Sequence, residues 1–457
     1  MNNFVLKGTL CFQSKSVHLV GISKIKHKLP IVFCKKIAII FTELVYPINK
    51  QNTSMLTGDQ EKVRKVNKSI VLNMLRLHAP ISRAQVANLT GLNRGTVSNI
   101  VNVLIEEGLV YEEEQKGSRI GRPAIALGLK PDGGAVIGVE IGVDFIAVLL
   151  TNFIAETIWE TRIQMDPSQS QTSIISQAEQ LIDQALSMAN AKALRPLGIG
   201  VGLPGLVNAH QGNLIMAPNL HWRNVPLRLM WNQRFHLPIY VENEANLSAL
   251  GEYYFGIARN VDNFIYLSAG IGLGGGIMMG GKLFRGAHGY GGEIGHIQRD
   301  PLGEQCGCGR VGCWETQVGP RAVLHRVKKE LETHTDRFLL DACSGDMNNL
   351  TFEMVVKSAL EGNTLCRQAI EEVAVNLGMG ITDMVHVFNP ELVLIGGAFI
   401  QAKDILQPII ERTIFSNILQ PCADGLRVAF SERGVNDCVL GAIAIVLDDI
   451  LHEMVIS

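Results

Sequence analysis

One short stretch of the chain, Gly291 to Glu315, carries the residues best suited to chemistry. It reads GGEIGHIQRDPLGEQCGCGRVGCWE and holds one histidine and three cysteines at His-x9-Cys-x-Cys-x4-Cys spacing. Thiolate and imidazole ligands at such short intervals are typical of a closed tetrahedral zinc site. The alternative is a reduced loop whose cysteines are incidental, and the close spacing of the thiols favours the metal. The predicted zinc ligands are His296, Cys306, Cys308 and Cys313.

Length, charge and cysteine usage limit the class of protein. A chain of 457 residues is longer than one hydrophobic core usually supports, so two or three domains are expected. The formal net charge of -2 gives no global attraction to nucleic acid, so any such binding must come from one local face. The cysteines outside the cluster are scattered along the chain, which fits a reducing cytoplasm better than a disulfide framework.

The first 54 residues differ in composition from everything that follows. They contain eight lysines and a single acid, Glu43, which interrupts an apolar run from Ile37 to Ile48. That run is short for a membrane span, and the segment lacks the small-residue cleavage site of a signal peptide. We expect residues 1–54 to be a poorly ordered extension upstream of a natural start at Met55. A membrane anchor is the weaker interpretation.

After Met55 the pattern turns helical and predicts a winged helix-turn-helix module. Apolar residues recur at helical spacing over 63–77, and a proline then stops the helix. Ser82 is placed to cap a short second helix that a glycine ends, and a third helix follows at 93–106. Two strands joined by a polar loop complete the module over 109–129.

The third helix and the loop between the two strands supply candidate DNA contacts. Short polar side chains on a helix can reach base edges in the major groove, and Arg122, between Gly121 and Pro123, can enter a narrow A/T-rich minor groove. The alternative is an ordinary helical module with a solvated polar face. Eleven basic against seven acidic residues over 55–130 favour DNA binding. The predicted DNA-binding residues are Arg83, Asn93, Arg94, Thr96, Ser98, Asn99, Asn102, Arg119 and Arg122.

From Gly134 onward the sequence has the alternating strands and helices of an α/β fold. Polar residues follow several strands, which is where ligand sites form in such folds. The most pronounced are the ENEAN segment at 242–246 and the glycine run from Gly270 to Gly276. The predicted elements are strands at 135–141, 145–151, 197–201, 239–241 and 263–268 and helices at 174–191 and 246–254.

Five segments, GLPGLVN, ENEAN, GIGLGGGIMMGGKLFRGAHG, GEIGH and CGCGRVGCWE, occur in this order. Together they resemble the ROK family of repressors, open reading frames and sugar kinases, from about Val63 to the C-terminus. With the winged module, the chain resembles the repressor branch and is most similar to xylose operon repressors. The resemblance implies an actin-like, hexokinase-type two-lobed α/β body and oligomers built on dimers. The expected domains are the extension 1–54, a winged helix-turn-helix domain 55–130, a first ROK lobe 131–245, and a second lobe 246–457 whose C-terminal helix returns to the first.

The resemblance also implies a sugar pocket. In ROK sugar binders, the asparagine and acid of an ENDAN-type box, the glutamate and histidine of GExGH, and the glutamate after the last cysteine hydrogen-bond to sugar hydroxyls. Carboxylates accept hydroxyl hydrogens, and an imidazole held by a metal keeps one orientation. Trp222 could add an apolar platform for the sugar or pack in the core, and both interpretations stay open. The implied sugar-binding residues are Asn243, Glu244, Glu293, His296 and Glu315.

Two departures from the kinases of the family predict a sensor without catalytic residues. The kinases have an aspartate base in the ENDAN box, whereas this chain has Glu244, whose extra methylene displaces the carboxylate. The kinases also have a DxGGT-type turn that cradles ATP phosphates. The equivalent here, Glu140-Ile-Gly-Val-Asp144, lacks the second glycine and the hydroxyl and adds a negative charge.

The sequence therefore favours a cytoplasmic, sugar-responsive repressor that releases DNA when sugar binds. We expect zinc as its cofactor, xylose as the favoured inducer with glucose as a second candidate, and a palindromic operator with A/T-rich flanks as its DNA partner. We also expect a homodimer or tetramer and no membrane partner. The alternative is an active ROK sugar kinase that phosphorylates an aldose with ATP, which Gly270 to Gly276 would help to bind.

Overall fold

A computed structural model describes residues 56–114, 125–166, 168–332 and 336–452. The chain divides into two compact units, Met1–Asp59 and Gln60–Ser457, and the features analysed below belong to the second. The expected extension at 1–54 and the loop that carries Arg119 and Arg122 lie outside the described residues. Among the described helices, none has the length and apolar character needed to cross a bilayer.

The N-terminal module has the predicted helix-turn-helix order followed by a two-stranded antiparallel sheet. Ser82 begins the second helix with a capping box, in which Ser82 Oγ accepts from the Gln85 amide and Gln85 Oε1 accepts from the Ser82 amide. Gly91 ends this helix in the left-handed region, with φ of 72°. The elements are α1 (Leu56–His78), α2 (Arg83–Thr90), α3 (Arg94–Glu106), β1 (Val110–Glu114) and β2 (Ile125–Leu129).

A five-stranded sheet forms the first half of the body. Side chains alternate between the faces of its third strand: Ile137 and Val139 pack under the helix at 171–191, while Val136 faces the C-terminal helix. The strand order is β10-β6-β3-β4-β5, with β6 and β10 parallel to β3. The elements are β3 (Ala135–Ile141), β4 (Phe145–Asn152), β5 (Thr157–Gln164), α4 (Gln171–Ala191), β6 (Pro196–Leu203) and β10 (Ile239–Asn243).

A small antiparallel sheet and a short helix are inserted between β6 and β10. Their apolar residues, including Trp222 and Trp231, join the core beneath the first sheet. The elements are β7 (Leu206–Asn208), β8 (Asn213–Ala217), β9 (Trp222–Val225) and α5 (Leu227–Phe235).

A second five-stranded sheet, in the order β13-β12-β11-β14-β15, lies at the centre of the other half. A large apolar core joins one face of this sheet to the helices that follow. The strands are β11 (Phe264–Ala269), β12 (Leu273–Met279), β13 (Lys282–Leu283), β14 (Leu392–Gly397) and β15 (Arg427–Phe430). The helices are α7 (Trp314–Gln317), α8 (Pro320–Leu331), α9 (Arg337–Ala342), α10 (Phe352–Leu360), α11 (Thr364–Phe388), α12 (Lys403–Asn417) and α13 (Gln420–Ala423).

Two further helices connect the halves. α6 (Glu244–Phe255) follows β10 without a break, so the lobe boundary expected at 245/246 falls inside a helix. α14 (Asp437–His452) packs on β3, β4 and β6 of the first sheet and more extensively on α6. Both helices begin at the same cleft, which positions their first residues as parts of one site.

Candidate sugar and metal site

A cleft of about 650 Å³ contains all five residues expected to bind sugar. Its wall is built from strand ends, from the glycine-rich turn between β11 and β12, and from the cysteine loop. Gly272 leaves room for one of these side chains, because a Cβ at this position would lie 2.6 Å from Glu315 Oε2. The expected residues in the wall are Asn243, Glu244, Glu293, His296 and Glu315.

The four predicted metal ligands converge next to this cleft. One donor atom from each of the four lies within 4.8 Å of the others. Cys308 Sγ and Cys313 Sγ are 3.7 Å apart, and Cys306 Sγ is 3.6 Å from His296 Nδ1. Isolated bridges between Gln298 and Cys313 and between Gln305 and Val311 hold the loop in this form. A set of one nitrogen and three sulfurs suits tetrahedral zinc, so the residues fit the metal. The candidate ligands are His296, Cys306, Cys308 and Cys313.

The imidazole of His296 lies between the metal ligands and the cleft. Its Nδ1 is on the side of Cys306 and lies 3.4 Å from Glu315 Oε1, while its Nε2 lies 3.8 Å from Glu293 Oε2. The Cys306 thiol donates to Glu315 Oε1 at 2.8 Å. One ring nitrogen is therefore available to a metal while the other faces the carboxylate of Glu293, an arrangement that fixes ring orientation.

Asn243 and Glu244 occupy the turn from β10 into α6. The Asn243 side chain caps α6, with Oδ1 accepting from the Ala245 amide at 2.8 Å and from the Asn246 amide at 3.2 Å. Its Nδ2 donates to the Gly205 carbonyl at 2.9 Å. The Asn243 side chain thus uses its Oδ1 and one Nδ2 hydrogen to hold the wall of the cleft. The second Nδ2 hydrogen remains for a ligand.

We call the part of the cleft wall formed by Asn243, Glu244, Glu293, His296 and Glu315 the sugar end. Its carboxylates are partly desolvated. Burial, with a smaller contribution from the nearby charge of Glu293, raises the pKa of Glu244 to about 7. Burial also raises the pKa of Glu293, against a lowering contribution from His296. Such groups gain from ligand hydroxyls, because each hydrogen bond replaces solvation that the folded chain has removed.

A second part of the cleft wall, which we call the phosphate end, contains three buried groups, Glu140, Asp437 and Cys438. The sequence did not predict that these three residues form a cluster. Burial raises the pKa of Glu140 to about 8, with Glu244 adding to the shift, and burial raises the pKa of Asp437 to about 7. The Cys438 thiol is buried beside Glu140. Glu140 and Asp437 lie almost three hundred positions apart in the sequence. No local spacing could therefore have indicated that they meet in one cluster.

Two residues of the altered phosphate turn also line this end of the cleft. Val143 and Asp144 stand in the wall beside Glu140, and the Arg162 guanidinium lies over the Phe145 ring at 3.4 Å. A triphosphate entering here would meet carboxylates in place of a cradle of amides and hydroxyls.

Trp222 packs in the core and does not form a sugar platform. Its side chain is 3% exposed and belongs to the apolar cluster beneath the first sheet. The carbohydrate-platform interpretation is therefore wrong, because a stacking residue must present a ring face to the ligand. Asn219, three positions earlier, does line the cleft.

The predicted DNA-contacting residues of α3 differ in their exposure. Arg94, Asn99 and Asn102 are exposed on α3, and Thr96 and Ser98 are half-buried. Asn93 precedes the helix as its N-cap, with Oδ1 accepting from the Thr96 amide at 2.7 Å. Its exposed side chain is therefore partly committed to the helix end.

Arg83, one of the predicted DNA-binding residues, makes several contacts within the module. It donates to Glu112 Oε1 at 2.9 Å, to the Ser98 carbonyl at 3.1 Å and to Asn102 Oδ1 at 2.9 Å. These contacts tie α2 to α3 and to β1, because a guanidinium presents its donors in a fixed fork. Arg83 therefore braces the helix that carries Ser98 and Asn102.

The fold and the site together define a two-lobed sugar-kinase-like body that carries a helix-turn-helix module. The ROK family profile matches residues 136–449, and a MarR family profile matches residues 65–119. The chain belongs to the ROK family.

Relatives within the family include both regulators and kinases. The xylose repressor of Caldicellulosiruptor bescii is 36% identical over 395 residues, which cover 86% of this chain and 98% of the relative. A crystal structure of a ROK family transcriptional regulator, a homologue of the E. coli MLC protein, has a TM-score of 0.75 at 29% identity and covers 86% of this chain and 99% of its own. A Streptomyces griseus ROK glucokinase, solved with glucose and AMPPNP, has a TM-score of 0.61 at 29% identity and covers 68% and 99%.

Proposed function

We propose that this protein is a sugar-responsive transcriptional repressor of carbohydrate utilisation genes, with xylose as its inducer and zinc at His296, Cys306, Cys308 and Cys313. The observation that carries the proposal is the convergence of Glu244, Glu293, His296 and Glu315 in one cleft of a chain that also has a helix-turn-helix module. Carboxylates around a metal-held imidazole suit the hydroxyl groups of a neutral sugar.

The DNA contacts in this proposal come from α3 and from the loop between β1 and β2. Arg94, Asn99 and Asn102 would meet base edges in the major groove, while Arg122 would enter an A/T-rich minor groove at the flank. A homodimer would hold two such modules at the spacing of a palindromic operator in the cytoplasm. Sugar binding would favour a second lobe arrangement in which that spacing no longer matches.

The second candidate is an active sugar kinase, favoured by the similarity to the glucokinase fold. Phosphoryl transfer needs a phosphate cradle and a placed base. Val143, Asp144 and the carboxylate of Glu140 occupy the position of the cradle, and Glu244 stands where the kinases have aspartate. The negative charge of Asp144 and the absence of the second glycine and the hydroxyl from this turn support a sensor, since none of these changes favours a bound phosphate.

One experiment separates the two candidates. Duplexes that the purified chain selects from a random DNA pool provide the operator, and fluorescence anisotropy then follows operator binding as xylose or glucose is added. We expect xylose to weaken operator binding by between about 5-fold and 150-fold, and glucose to act more weakly. In a coupled assay with ATP and the same sugars, we expect no turnover above background. Turnover at about 1 per second or faster would establish the kinase, and unchanged anisotropy with every sugar would overturn the repressor.

A further inference from the structure

The sugar cleft and the DNA-binding module share two helices. α6 begins in the cleft, where Glu244 and Ser248 line the wall, and α14 begins there with Asp437 and Cys438. A ligand held by Glu244 therefore bears directly on the first turn of α6. With 12 residues, α6 extends about 18 Å away from that turn.

Glycines bring α6 and α14 into backbone contact. A Cβ on Gly441 would lie 1.7 Å from the Leu247 carbonyl oxygen, and a Cβ on Gly251 would lie 2.6 Å from that of Asp437. No side chain separates the two helices at this crossing, so little free volume is available to absorb a relative displacement. We treat α6 and α14 as one rigid pair.

The far end of this pair contacts α1 of the DNA-binding module. Tyr254, in the last turn of α6, is 4% exposed, and its hydroxyl donates to Asp448 of α14. The guanidinium of Arg76, in the last turn of α1, lies over the Tyr254 ring at 4.2 Å from its centroid. Such a cation–π contact is directional, so it fixes the position of α1 relative to α6.

The same junction is continuous with the hydrophobic core of the module. One buried cluster contains residues of α1, α3, α6 and α14, so the recognition helix and the cleft helices are joined by contiguous packing. Its members from these helices include Val71, Leu72, Leu75, Val97, Leu104, Leu250, Tyr254, Val439, Ile443 and Leu447.

From these contacts we infer that Arg76 and Tyr254 form the joint through which sugar occupancy of the cleft changes the orientation of the DNA-binding module. Both are positioning residues, since neither lines the sugar cleft and neither belongs to the recognition face of α3. The inference rests on the proposed sugar-responsive repressor and specifies how its two sites are coupled. The shared core stabilises the junction between the cleft helices and the DNA-binding module. The Arg76–Tyr254 contact sets the orientation of α1 relative to α6.

Coupling is measured as the ratio of operator dissociation constants with and without saturating xylose. In full-length Arg76→Ala, we expect the xylose dissociation constant from calorimetry and the sugar-free operator constant to stay within about 3-fold of wild type, while the ratio falls at least about 5-fold. Arg76→Lys, which keeps a cation over the ring, should restore most of the ratio. Tyr254→Leu should reproduce the loss, and Tyr254→Phe should retain the ring contact.

Arg234→Ala is the matched control, because Arg234 lies over Phe235 at 5.1 Å in a part of the body away from α1. We expect its ratio to equal that of wild type, and thermal unfolding identifies any variant that fails to fold. If Arg76→Ala and Tyr254→Leu fold, bind both ligands and keep the wild-type ratio, the coupling role of Arg76 and Tyr254 is wrong. The proposed repressor function would be unaffected by that result. If wild-type protein shows no ratio above 1, the proposed function itself has failed.

Discussion

Glu140 differs from Glu293 and Glu315, the carboxylates beside His296, in how it is partnered within the cleft. At the sugar end, Glu293 lies 3.8 Å from one nitrogen of His296, and Glu315 lies 3.4 Å from the other while accepting from Cys306. At the phosphate end, Glu140 Oε2 is buried and has no hydrogen-bond partner in the described part of the chain. The pKa of Glu140 is raised to about 8 by burial, with Glu244 and Asp437 adding to the shift.

In the proposed sensor, this difference distinguishes sugar binding from phosphoryl transfer. Hydroxyl groups can donate to carboxylates, so the sugar end is equipped for a neutral polyol. Phosphates carry negative charge and need amides, hydroxyls or cations, and the wall around Glu140 presents Asp144 and Asp437, with Arg162 as a nearby cation. The proposal therefore gives this kinase-like fold a sugar site without a phosphate site, which is consistent with function residing in sites and not in the fold.

Removal of a cysteine ligand should give the largest change at the sugar end. In Cys308→Ser, we expect bound zinc to fall from about one per chain to near zero and the xylose affinity to fall by at least about 100-fold, because His296 loses the support that orients its ring. Elemental analysis and calorimetry on the same preparation provide the two measurements. Cys422→Ser is the control, since Cys422 lies outside the ligand cluster. Full zinc content in Cys308→Ser would contradict the ligand assignment.

Truncation of the carboxylate at the start of α6 should have a smaller effect confined to sugar binding. In Glu244→Ala, we expect the xylose affinity to fall by about 10-fold to 100-fold, which corresponds to one lost hydrogen bond to a charged group. Operator binding without sugar should remain as in wild type. Glu160→Ala, on the exposed surface of β5, is the control. A normal xylose response in Glu244→Ala would show that the sugar lies elsewhere.

Local sequence signals predicted a large part of the fold and of the site. The Ser82–Gln85 capping box and the glycine at position 91 act within a few residues, so they gave the bounds of α2 correctly. The His296–Cys313 spacing identified a cluster of potential metal ligands for the same reason, because its members lie on one loop. Motif resemblance identified the cleft residues around Glu244, all of which line one cavity.

Features that depend on long-range packing could not be predicted in this way. The contacts of Arg83 could not be predicted because Glu112, Ser98 and Asn102 become its neighbours only when α2, α3 and β1 pack together. Burial of Trp222 depends on how an inserted sheet closes over the first core. In both cases, residue type and exposed position in a motif carried no information about the tertiary partner.

Burial of Glu140 should make the free energy of unfolding depend on pH. The folded-state pKa of Glu140, about 8, lies above the ordinary value of 4.5, so the folded chain binds more protons than the unfolded chain between these two pH values. The contribution of Glu140 is therefore most favourable below about pH 4.5 and is lost as the pH rises towards 8.

We expect the neutral substitution Glu140→Gln to remove this dependence. Between pH 5 and pH 8, its free energy of unfolding should rise relative to wild type by on the order of 3 kcal/mol, as measured by urea denaturation at each pH. Glu160→Gln, which replaces an exposed glutamate, should track wild type throughout. A constant difference between Glu140→Gln and wild type would mean that the Glu140 carboxylate is already charged at neutral pH. The nearby guanidinium of Arg162 would then balance it, and the contrast between Glu140 and the carboxylates beside His296 would disappear.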